Sequence, residues 1–466
     1  MRVSHARATL GILLAASLVP GSASAASESD DAFWNAVYEE HRVLEMDITL
    51  TQEAWESMQP ASNQRRSDSS YSYVKADISV DGQAFDDAGL RFKGNSSYRF
   101  AQGGYKRPLK IDMNRFVKGQ KLHGRTKLNL SNSFLDSAFM KEKLAYEVYR
   151  AAGVATPNVG WAAVTLTIEG LVEKQPLGVY VLVEQVDKQF IKRNFGDATE
   201  GSLLMKPEIS SNWEYPGAEP SDYESFGIKI DEGDETLFGR FGELLRLIHS
   251  ADDAAFAREI DSLMDLNQFA GYLATTSLLA NIDSYIGMPH NYYLLVDKAD
   301  DRVRLLPWDV NEAFGTFTMG SSPEALADWD IDRPWVADLR LVERLFALES
   351  FRARYHSAMV DLMKEAFTEE KLFSRIAGFQ TALAPHLNEK EQADLRMGIE
   401  GGTNGYNAAV GRRVLAIKPF IRKRIASVSA QLTGQSDGTK LEGRRRGGRG
   451  GGRPDRPGGR GPRGGR

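Results

Sequence analysis

The sequence predicts an α+β protein with a sheet-rich N-terminal lobe followed by a mainly helical C-terminal lobe. In the first half, several short segments alternate apolar and polar residues, which is the spacing of half-buried strands. In the second half, apolar residues recur with the spacing of amphipathic helices. Roughly four hundred residues lie between the two ends, more than one hydrophobic core usually serves, so two lobes are expected.

The predicted strands of the first half are five segments, namely 72–80, the stretch near 89–92, 106–113, 161–168 and 178–183. Asp81-Gly82 is a hairpin signal that joins the first two segments. The last segment (GVYVLV) is densely apolar, as expected for a strand buried on both faces. Between the strands, Ser137 to Ala152 has helical spacing and stops at Gly153, so one helix should accompany the sheet.

The second half carries five predicted helices. Asp265 followed by Gln268 resembles a capping box, which opens a helix running through Leu279-Ala280. The other four predicted helices cover 237–249, 336–366, 369–383 and 410–432. A sheet-rich lobe before a helical lobe is the gross plan of a kinase, although many chemistries can occupy one fold.

The N-terminus is predicted to be a secretory signal peptide covering residues 1–25. Arg2 and Arg7 precede an apolar stretch at 10–19, and the small residues 22–25 suit a signal peptidase. The apolar stretch is too short to span a bilayer, and no later stretch is long enough. We therefore expect no transmembrane span and a location that is secreted, cell-surface or periplasmic.

The composition restricts the chemistry that the chain can perform. It contains no cysteine and only seven histidines, with no pair at the H-E-x-x-H spacing. A thiol nucleophile, a thiolate metal site and a zinc hydrolase of that type are therefore excluded. Any metal must be held largely by oxygen, which favours magnesium or calcium.

The C-terminal residues 435–466 are predicted to form a disordered Arg/Gly-rich tail. Residues 443–466 contain nine Arg and one Asp, a local charge of +8, within a chain of net charge −5. Without that stretch and the two signal arginines, about −15 remains for the body. The tail could contact a polyanion such as nucleic acid, acidic glycan or polyphosphate. A solvated tail with no fixed partner is equally consistent with the composition.

The segment 281–315 carries the candidate chemistry. Asp283 precedes a predicted strand at 292–296, Asn291 begins that strand, and Asp309 follows a second strand at 303–306. Antiparallel pairing should bring Asn291 and Asp309 to the same end of a hairpin. Phosphoryl transfer requires one carboxylate for the acceptor hydroxyl and separate oxygens for magnesium. Asp283 suits the first role and Asn291 with Asp309 the second, whereas each Asp alone could simply cap a turn.

An ordered series of motifs resembles the CotH (spore coat protein H) kinase family. The motifs are LRFKGNSS (90–97), RPLKIDM (107–113), MKEKLAYEVYRAAGV (140–154), GVYVLVEQVD (178–187), N-x-D at 281, HNYYLL (290–295) and PWDVNEAFG (307–315). The resemblance implies an atypical protein-kinase-like fold that uses ATP and Mg²⁺ (or Mn²⁺) to phosphorylate Ser or Thr of exported proteins. It implies that Asp283 is the catalytic aspartate and Asp309 a magnesium ligand. The family's second acid is replaced by Asn311, an uncharged oxygen ligand that could lower metal affinity.

The sheet-rich half is expected to hold the nucleotide. The loop 93–97 follows a strand and could approach phosphate, although a loop of this type is by itself more often an ordinary turn. The candidate cationic side chains for binding phosphate are Arg91, Lys93 and Lys110. Of these, Lys110 best suits a fixed contact with a phosphate group. Glu142 could pair with Lys110 as kinases pair a strand lysine with a helix glutamate. The alternatives are a solvent-facing Lys110 and a helix-surface Glu142 beside Lys141 and Lys143.

The remaining predictions concern the hinge, the domains and the function. Glu184 stands where a hinge should meet the nucleotide base. His290 is interpreted as structural, Trp308 as a core residue, and the acidic runs 231–235 and 328–332 as solvated loops.

The predicted domains are a lead-in (26–45), a CotH-type core (46–335) and a helical part (336–434). Besides a kinase, the sequence allows a catalytically weak or inactive surface or matrix binding protein.

Overall fold

We describe a computed structural model of the chain. It describes residues 29–60, 71–101, 103–207, 213–217, 221–222, 228–401, 406–407, 412–413 and 415–441. The predicted signal peptide (1–25) and residues 442–466 of the predicted tail lie outside the described residues. Residues 435–441, assigned above to the tail, pack against the helical lobe, where the Thr439 hydroxyl donates to the Asp328 carboxylate at 2.7 Å.

The N-terminal lobe is a closed seven-stranded β-barrel of strand order β1-β2-β3-β4-β5-β7-β6. Its strands are β1 (Val43–Thr51), β2 (Val74–Val80), β3 (Gln83–Phe92), β4 (Leu109–Asp112), β5 (Lys127–Ser131), β6 (Val159–Glu169) and β7 (Val172–Val183). All neighbours pair antiparallel except β1 and β6, whose parallel pairing closes the barrel. The predicted sheet is therefore a closed barrel, and it includes two strands, β1 and β5, that were not predicted.

The barrel forms because alternate side chains of its strands point inward. Leu44, Ile48, Ile78, Ile111 and Leu130 are fully buried in one apolar cluster that fills it. The predicted turn at 81–82 joins β2 to β3, and both of its residues have positive φ angles, as a two-residue hairpin turn requires. The two predicted strands on either side of this turn are thus confirmed.

The second lobe contains most of the helices and a second sheet. The α-helices of the chain are α1 (Asp30–Tyr38), α2 (Gln52–Ser57), α3 (Ser96–Arg99), α4 (Lys141–Ala151), α5 (Lys188–Phe195), α6 (Phe238–Ser250), α7 (Asp253–Leu263), α8 (Leu266–Leu278), α9 (Pro323–Ala327), α10 (Arg340–Ala347), α11 (Glu349–Glu365), α12 (Glu369–Leu383), α13 (Glu389–Glu400) and α14 (Ile417–Leu432). The helix α4 lies between β5 and β6 in the chain but belongs to the apolar core of the helical lobe. The predicted α+β, two-lobed architecture is confirmed.

The second sheet has the order β11-β10-β8-β9 and carries the predicted hairpin. Its strands are β8 (Leu203–Pro207), β9 (Ile228–Glu232), β10 (Tyr292–Asp297) and β11 (Arg302–Pro307). Arg304 fixes the turn between β10 and β11 through ion pairs with Asp297 at 2.9 Å and Asp300 at 2.7 Å. Two further strands, β12 (Tyr406–Asn407) and β13 (Arg412–Arg413), are each two residues long.

Several element boundaries differ from prediction for local reasons. The 26–45 lead-in holds α1 and the start of β1, so the predicted boundary at 45/46 cuts a strand. The predicted helix at 336–366 is two helices, α10 and α11, separated by Leu348, whose backbone is extended. Asp265 caps α8 as predicted, but Gln268 does not complete a capping box, because its amide donates to the Leu305 carbonyl of β11.

The acidic run 328–332 is part of the structure rather than a solvated loop. Asp330 is only 5% exposed. Asp328 accepts a hydrogen bond from the Ser427 hydroxyl of α14 at 2.7 Å. Both carboxylates act electrostatically on the buried guanidinium of Arg424, so the run provides counter-charge for it. Within the described residues, none of the helices combines the length and the apolar composition needed to cross a membrane.

Candidate active site

A cleft of about 380 Å³ lies between the barrel and the helical lobe. It is lined on the barrel side by residues 93–97, Pro108, Ser131 and Phe134, and on the other side by Lys206, Pro207, Asp283, Met288, His290, Asn291, Tyr292, Trp308, Asp309, Asn311, Glu312 and Phe317. Five of the predicted site residues meet here, namely Lys93, Asp283, Asn291, Asp309 and Asn311. The cleft therefore joins both lobes at the residues singled out for chemistry.

The hairpin places Asn291 beside the Trp308-Asp309 segment, as its register predicts. Tyr292 pairs with Pro307, and the Trp308 backbone N–H donates to the Asn291 carbonyl at 3.1 Å. Asn291 (φ 58°) and Asp309 (φ 54°) both adopt the left-handed backbone region. Non-glycine residues in this region are uncommon, and Asn and Asp are the types that tolerate it best. Such backbone strain clusters at functional sites, because the surrounding structure must hold it.

Both carboxylate oxygens of Asp283 are held by neighbouring side chains. Oδ1 lies 3.1 Å from His290 Nε2, and Oδ2 accepts a hydrogen bond from Asn291 Nδ2 at 2.9 Å. The same Asn291 nitrogen donates to the Asp283 backbone carbonyl at 2.9 Å. These contacts fix the carboxylate in the cleft. They also orient the Asn291 amide with its nitrogen toward Asp283, which leaves its oxygen for another ligand.

Asn311 links the candidate metal site to the loop before α4. Its Nδ2 donates to the Phe134 carbonyl at 3.0 Å. A carboxylate at this position could not donate that hydrogen bond. The amide therefore performs a structural role that an acid could not, while its oxygen remains a possible metal ligand.

Glu142 is a buried acid rather than a helix-surface charge. It is 3% exposed on α4, and its neighbours Lys141 and Lys143 are equally buried. Burial, followed by the negative charge of Asp309, raises the pKa of Glu142 to about 8, while the positive charge of Lys93 opposes that shift. Glu142 therefore lies in the electrostatic environment of Lys93 and Asp309.

The predicted cations Lys110 and Arg91 lie on paired strands of the barrel, outside the residues that line the cleft. Lys110 Nζ donates to Gln185 Oε1 at 2.8 Å. Arg91 is buried, donates to the Phe92 carbonyl and lies over the Tyr73 ring. Lys110 therefore does not line the cleft, and its contact with phosphate stays a prediction.

Glu184 is a structural carboxylate at the end of β7. Its two oxygens bind Arg125 at 2.7 Å and Arg193 at 2.5 Å, and it is 3% exposed. The Asn158 backbone N–H also donates to it at 2.9 Å. The side chain thus ties the barrel to α5 and does not line the cleft, and its contact with a nucleotide base stays a prediction.

The loop 93–97 lines the cleft as predicted. Gly94 has a φ angle of +74°, and a Cβ there would collide with the Ser97 hydroxyl. The Tyr71 hydroxyl donates to the Gly94 carbonyl at 2.8 Å, and Asn132 Nδ2 donates to the Ser97 carbonyl at 3.3 Å. The loop is therefore held close to the cleft from both sides.

Three cleft residues were missed or discounted in the sequence. His290 contacts the Asp283 carboxylate and lines the cleft, and its position directly before Asn291 was the available signal. Trp308 packs edge-on against Tyr293 in the core but also lines the cleft. Lys206 has its ammonium 5.5 Å from the Trp308 ring centroid, and no motif around it marked it in advance.

The candidate metal ligands suit magnesium, although they include only one negatively charged side chain. Among the residues that the structure describes, no group of three or more His, Cys, Asp or Glu is arranged to hold a metal. The candidate set is one carboxylate, Asp309, with the amide oxygens of Asn291 and Asn311 at the same end of the cleft. These are hard oxygen ligands of the kind magnesium prefers.

The buried Lys143 on α4 should make the free energy of unfolding depend on pH. Its ammonium donates to the Tyr38 and Val159 carbonyls at 2.7 Å each, and burial lowers its pKa to about 8. A lysine whose pKa is lower when folded costs stability while charged, and this cost disappears as pH rises from about 8 to its ordinary pKa of about 10.4. Wild type should therefore gain unfolding free energy relative to Lys143→Met, by at most about 1.4 kcal/mol per pH unit in that range. Urea unfolding of both proteins at several pH values measures this, and parallel curves contradict it.

The two lobes and the polar cleft between them give the chain the plan of a kinase-like protein. The profile of the CotH kinase protein family matches residues 90–428. This range covers the later barrel strands, α4, the hairpin and most of the C-terminal helices. The chain belongs to the CotH kinase protein family.

Two relatives from Bacillus subtilis (strain 168) are similar to this chain. Inner spore coat protein H is 21% identical over 274 residues, which is 58% of this chain and 71% of that protein. An inner spore coat protein H-like protein is 23% identical over 278 residues, which is 57% of this chain and 74% of that protein. Both relatives are named as spore coat proteins.

Two solved structures also align with the chain at low similarity. One belongs to the Shewanella oneidensis toxin–antitoxin complex of HipA, HipB and operator DNA, at 13% identity and a TM-score of 0.29, covering 68% of this chain and 62% of that chain. The other is the Helicobacter pylori proinflammatory kinase CtkA, at 8% identity and a TM-score of 0.27, covering 74% of this chain and 94% of that chain. The chain therefore spans less than two thirds of the first of these structures.

Proposed function

We propose that the protein is an exported phosphotransferase that moves the γ-phosphoryl group of ATP to Ser or Thr hydroxyls of other exported proteins. The observation that carries this proposal is the convergence of Asp283, Asn291 and Asp309 in one cleft with Lys93 on its opposite wall. Phosphoryl transfer depends mainly on positioning and on charge stabilisation, and these are the groups it requires.

Asp283 acts on the acceptor in this proposal. Its carboxylate, held by His290 and Asn291, orients the acceptor hydroxyl and takes its proton. The new bond forms between the acceptor oxygen and the γ-phosphorus, the bond to the β-phosphate oxygen breaks, and ADP leaves with that electron pair. Two fixed donors keep the carboxylate from rotating away from the acceptor.

Asp309, Asn291 and Asn311 are the residues that would hold Mg²⁺ or Mn²⁺. When bound, the metal would neutralise phosphate charge. Lys93 and the loop 93–97 would contact the phosphates from the barrel side, with Glu142 in the electrostatic environment of Lys93 and Asp309. Gly94 permits the turn of this loop, because its positive φ angle and the adjacent Ser97 hydroxyl leave no room for a Cβ.

Export and the tail belong to the same proposal. The predicted signal peptide supports a secreted, cell-surface or periplasmic enzyme, and spore coat relatives are consistent with action outside the cytoplasm. We further propose that the Arg/Gly-rich tail contacts a polyanion, because its +8 charge is opposite in sign to that of the body.

Incubation of the purified mature protein with γ-labelled ATP, magnesium and a generic protein acceptor tests the function. We expect label on Ser or Thr of the acceptor or of the protein itself. The transfer should be lost in the Asp283→Asn variant. Asp301→Asn is the control matched to that variant, since Asp301 is an exposed turn residue at the far end of the hairpin. ATP binding without transfer would reject the kinase and favour the binding protein.

Asp309→Ala is expected to weaken the magnesium-dependent binding of ATP. The substitution removes the only carboxylate from the candidate metal set, and a charge-assisted contact contributes about 1.5–3 kcal/mol, or roughly 10- to 100-fold in affinity. Calorimetric titration with ATP, with magnesium and with EDTA in its place, measures the change. The residual affinity in EDTA should be the same for wild type and variant, and an equal loss in both conditions contradicts the metal role.

The second candidate is a catalytically weak or inactive surface or matrix binding protein. It is favoured by Asn311, which stands where the family's motif has a second acid. The hydrogen bond from Asn311 to the Phe134 carbonyl gives that asparagine a role of its own, so its presence does not by itself indicate lost activity. The labelled-ATP experiment separates the two candidates.

A further inference from the structure

Two lysines from opposite lobes converge on one tryptophan in the cleft. Lys93 follows β3 of the barrel, and Lys206 belongs to β8 of the second sheet. Each ammonium lies 5.5 Å from the centroid of the Trp308 ring. Their separation is therefore at most twice that distance, a span that one extended triphosphate can bridge.

Lys206 is the half-buried residue of a strand whose other four residues are buried. Its ammonium also lies 5.3 Å from the centroid of the Tyr293 ring. Cation–π attraction to the faces of Trp308 and Tyr293 helps to hold this ammonium at the wall of the cleft. The position is thus fixed before any ligand arrives, which lowers the entropic cost of binding.

The formal charges of the cleft lining favour a second lysine for a polyphosphate, in addition to the proposed divalent metal. Its charged lining consists of Lys93 and Lys206 against Asp283, Asp309 and Glu312, which gives −1. Without Lys206 the lining would be −2, on a body that is itself acidic. Coulomb repulsion would then oppose a nucleoside triphosphate strongly in a site of reduced dielectric constant.

We propose that Lys206 is a second phosphate-binding residue, which works with Lys93 as a clamp between the lobes and makes affinity depend on the number of phosphates. This inference rests on the proposed function, because it concerns the nucleotide of that reaction. The cleft then discriminates ATP from AMP and adenosine by charge on both walls. Lys206 is a residue that the sequence motifs do not mark.

Calorimetric titration of the folded full-length mature protein with Mg-ATP, Mg-ADP, AMP and adenosine tests the clamp. Lys206→Met should raise the dissociation constant for Mg-ATP by about 10- to 100-fold, as for the loss of one charge-assisted contact. Adenosine binding should not change, and Lys206→Arg should retain most of the affinity for ATP. Lys298→Met is the charge-matched control, because Lys298 follows β10 of the same sheet and pairs with Asp234 at 3.8 Å, outside the cleft.

An equal loss for ATP and adenosine would overturn the proposal, since it would mean that Lys206 only supports Trp308. Unchanged ATP affinity in Lys206→Met would also overturn it, while leaving the kinase proposal intact. Failure of wild type to bind ATP at all would instead reject both.

Acetylation of the wild-type protein with acetic anhydride gives a readout that does not depend on a variant's folding. Mg-ATP should protect Lys206 from modification and leave Lys298 as reactive as before, as measured by mass spectrometry. Equal modification of Lys206 with and without Mg-ATP contradicts the clamp.

Discussion

Asp283→Asn is expected to abolish most phosphoryl transfer while leaving ATP bound. A positioned general base contributes about 10²- to 10⁴-fold to rate, and an amide cannot take the acceptor's proton. Asn also fits poorly between two donors, because His290 Nε2 and Asn291 Nδ2 both point to this side chain. The rate constant should therefore fall by at least about 100-fold.

Single-turnover transfer of label from γ-labelled ATP measures this change, alongside calorimetric ATP affinity. Asp301→Asn again serves as the control, with the same chemical substitution at an exposed turn. A fall in ATP affinity that accounts for the whole loss of rate would show that Asp283 binds nucleotide rather than the acceptor. Unchanged transfer would remove Asp283 from catalysis.

Arg424→Met is expected to produce the largest loss of stability. Arg424 is 0% exposed on α14 and donates to the Trp329 carbonyl at 2.6 Å and to the Ser277 carbonyl at 3.1 Å. Methionine has a similar length but no donors, so the variant leaves these carbonyls and the counter-charges around 328–330 buried without their cation. Breaking a buried charged contact costs about 3–5 kcal/mol.

Urea unfolding monitored by circular dichroism measures the free energy of unfolding. Arg422→Met is the matched control on the same helix, because Arg422 is exposed and pairs with Glu369 at 3.1 Å at the surface. Exposed ion pairs contribute about 0–1 kcal/mol, so this variant should change little. Equal effects of the two substitutions would contradict the role assigned to burial of Arg424.

The hairpin could be predicted because its information is local. Two apolar segments, a turn at 300–301 and the positions of Asn291 and Asp309 relative to the strands fix the register. The structure confirms both strands and brings the two side chains to the same end. The helix at 369–383 was likewise predicted to its ends, since Thr368 caps it by accepting the Lys371 N–H.

The charges that act on Glu142 could not be predicted because they belong to residues distant in sequence. Lys110 lies within a strand motif and Lys93 just beyond one, and only the closed barrel decides which of them lines the cleft. The same holds for Lys141, Glu142 and Lys143, which look like a charged surface in the sequence. Their burial follows from the packing of α4 between both lobes, which no short window of sequence describes.

The parallel pairing of β1 with β6 has a consequence for how the protein forms. Val43 pairs with Trp161, more than one hundred residues further along the chain. The barrel cannot close until β6 has been synthesised and has folded. Until then, the edge of β1 that pairs with β6 stays unpaired. Contacts of such large separation slow folding and leave strand edges exposed to other chains. We therefore expect a truncation before residue 159 to leave the barrel open, with the edge of β1 able to pair with other chains.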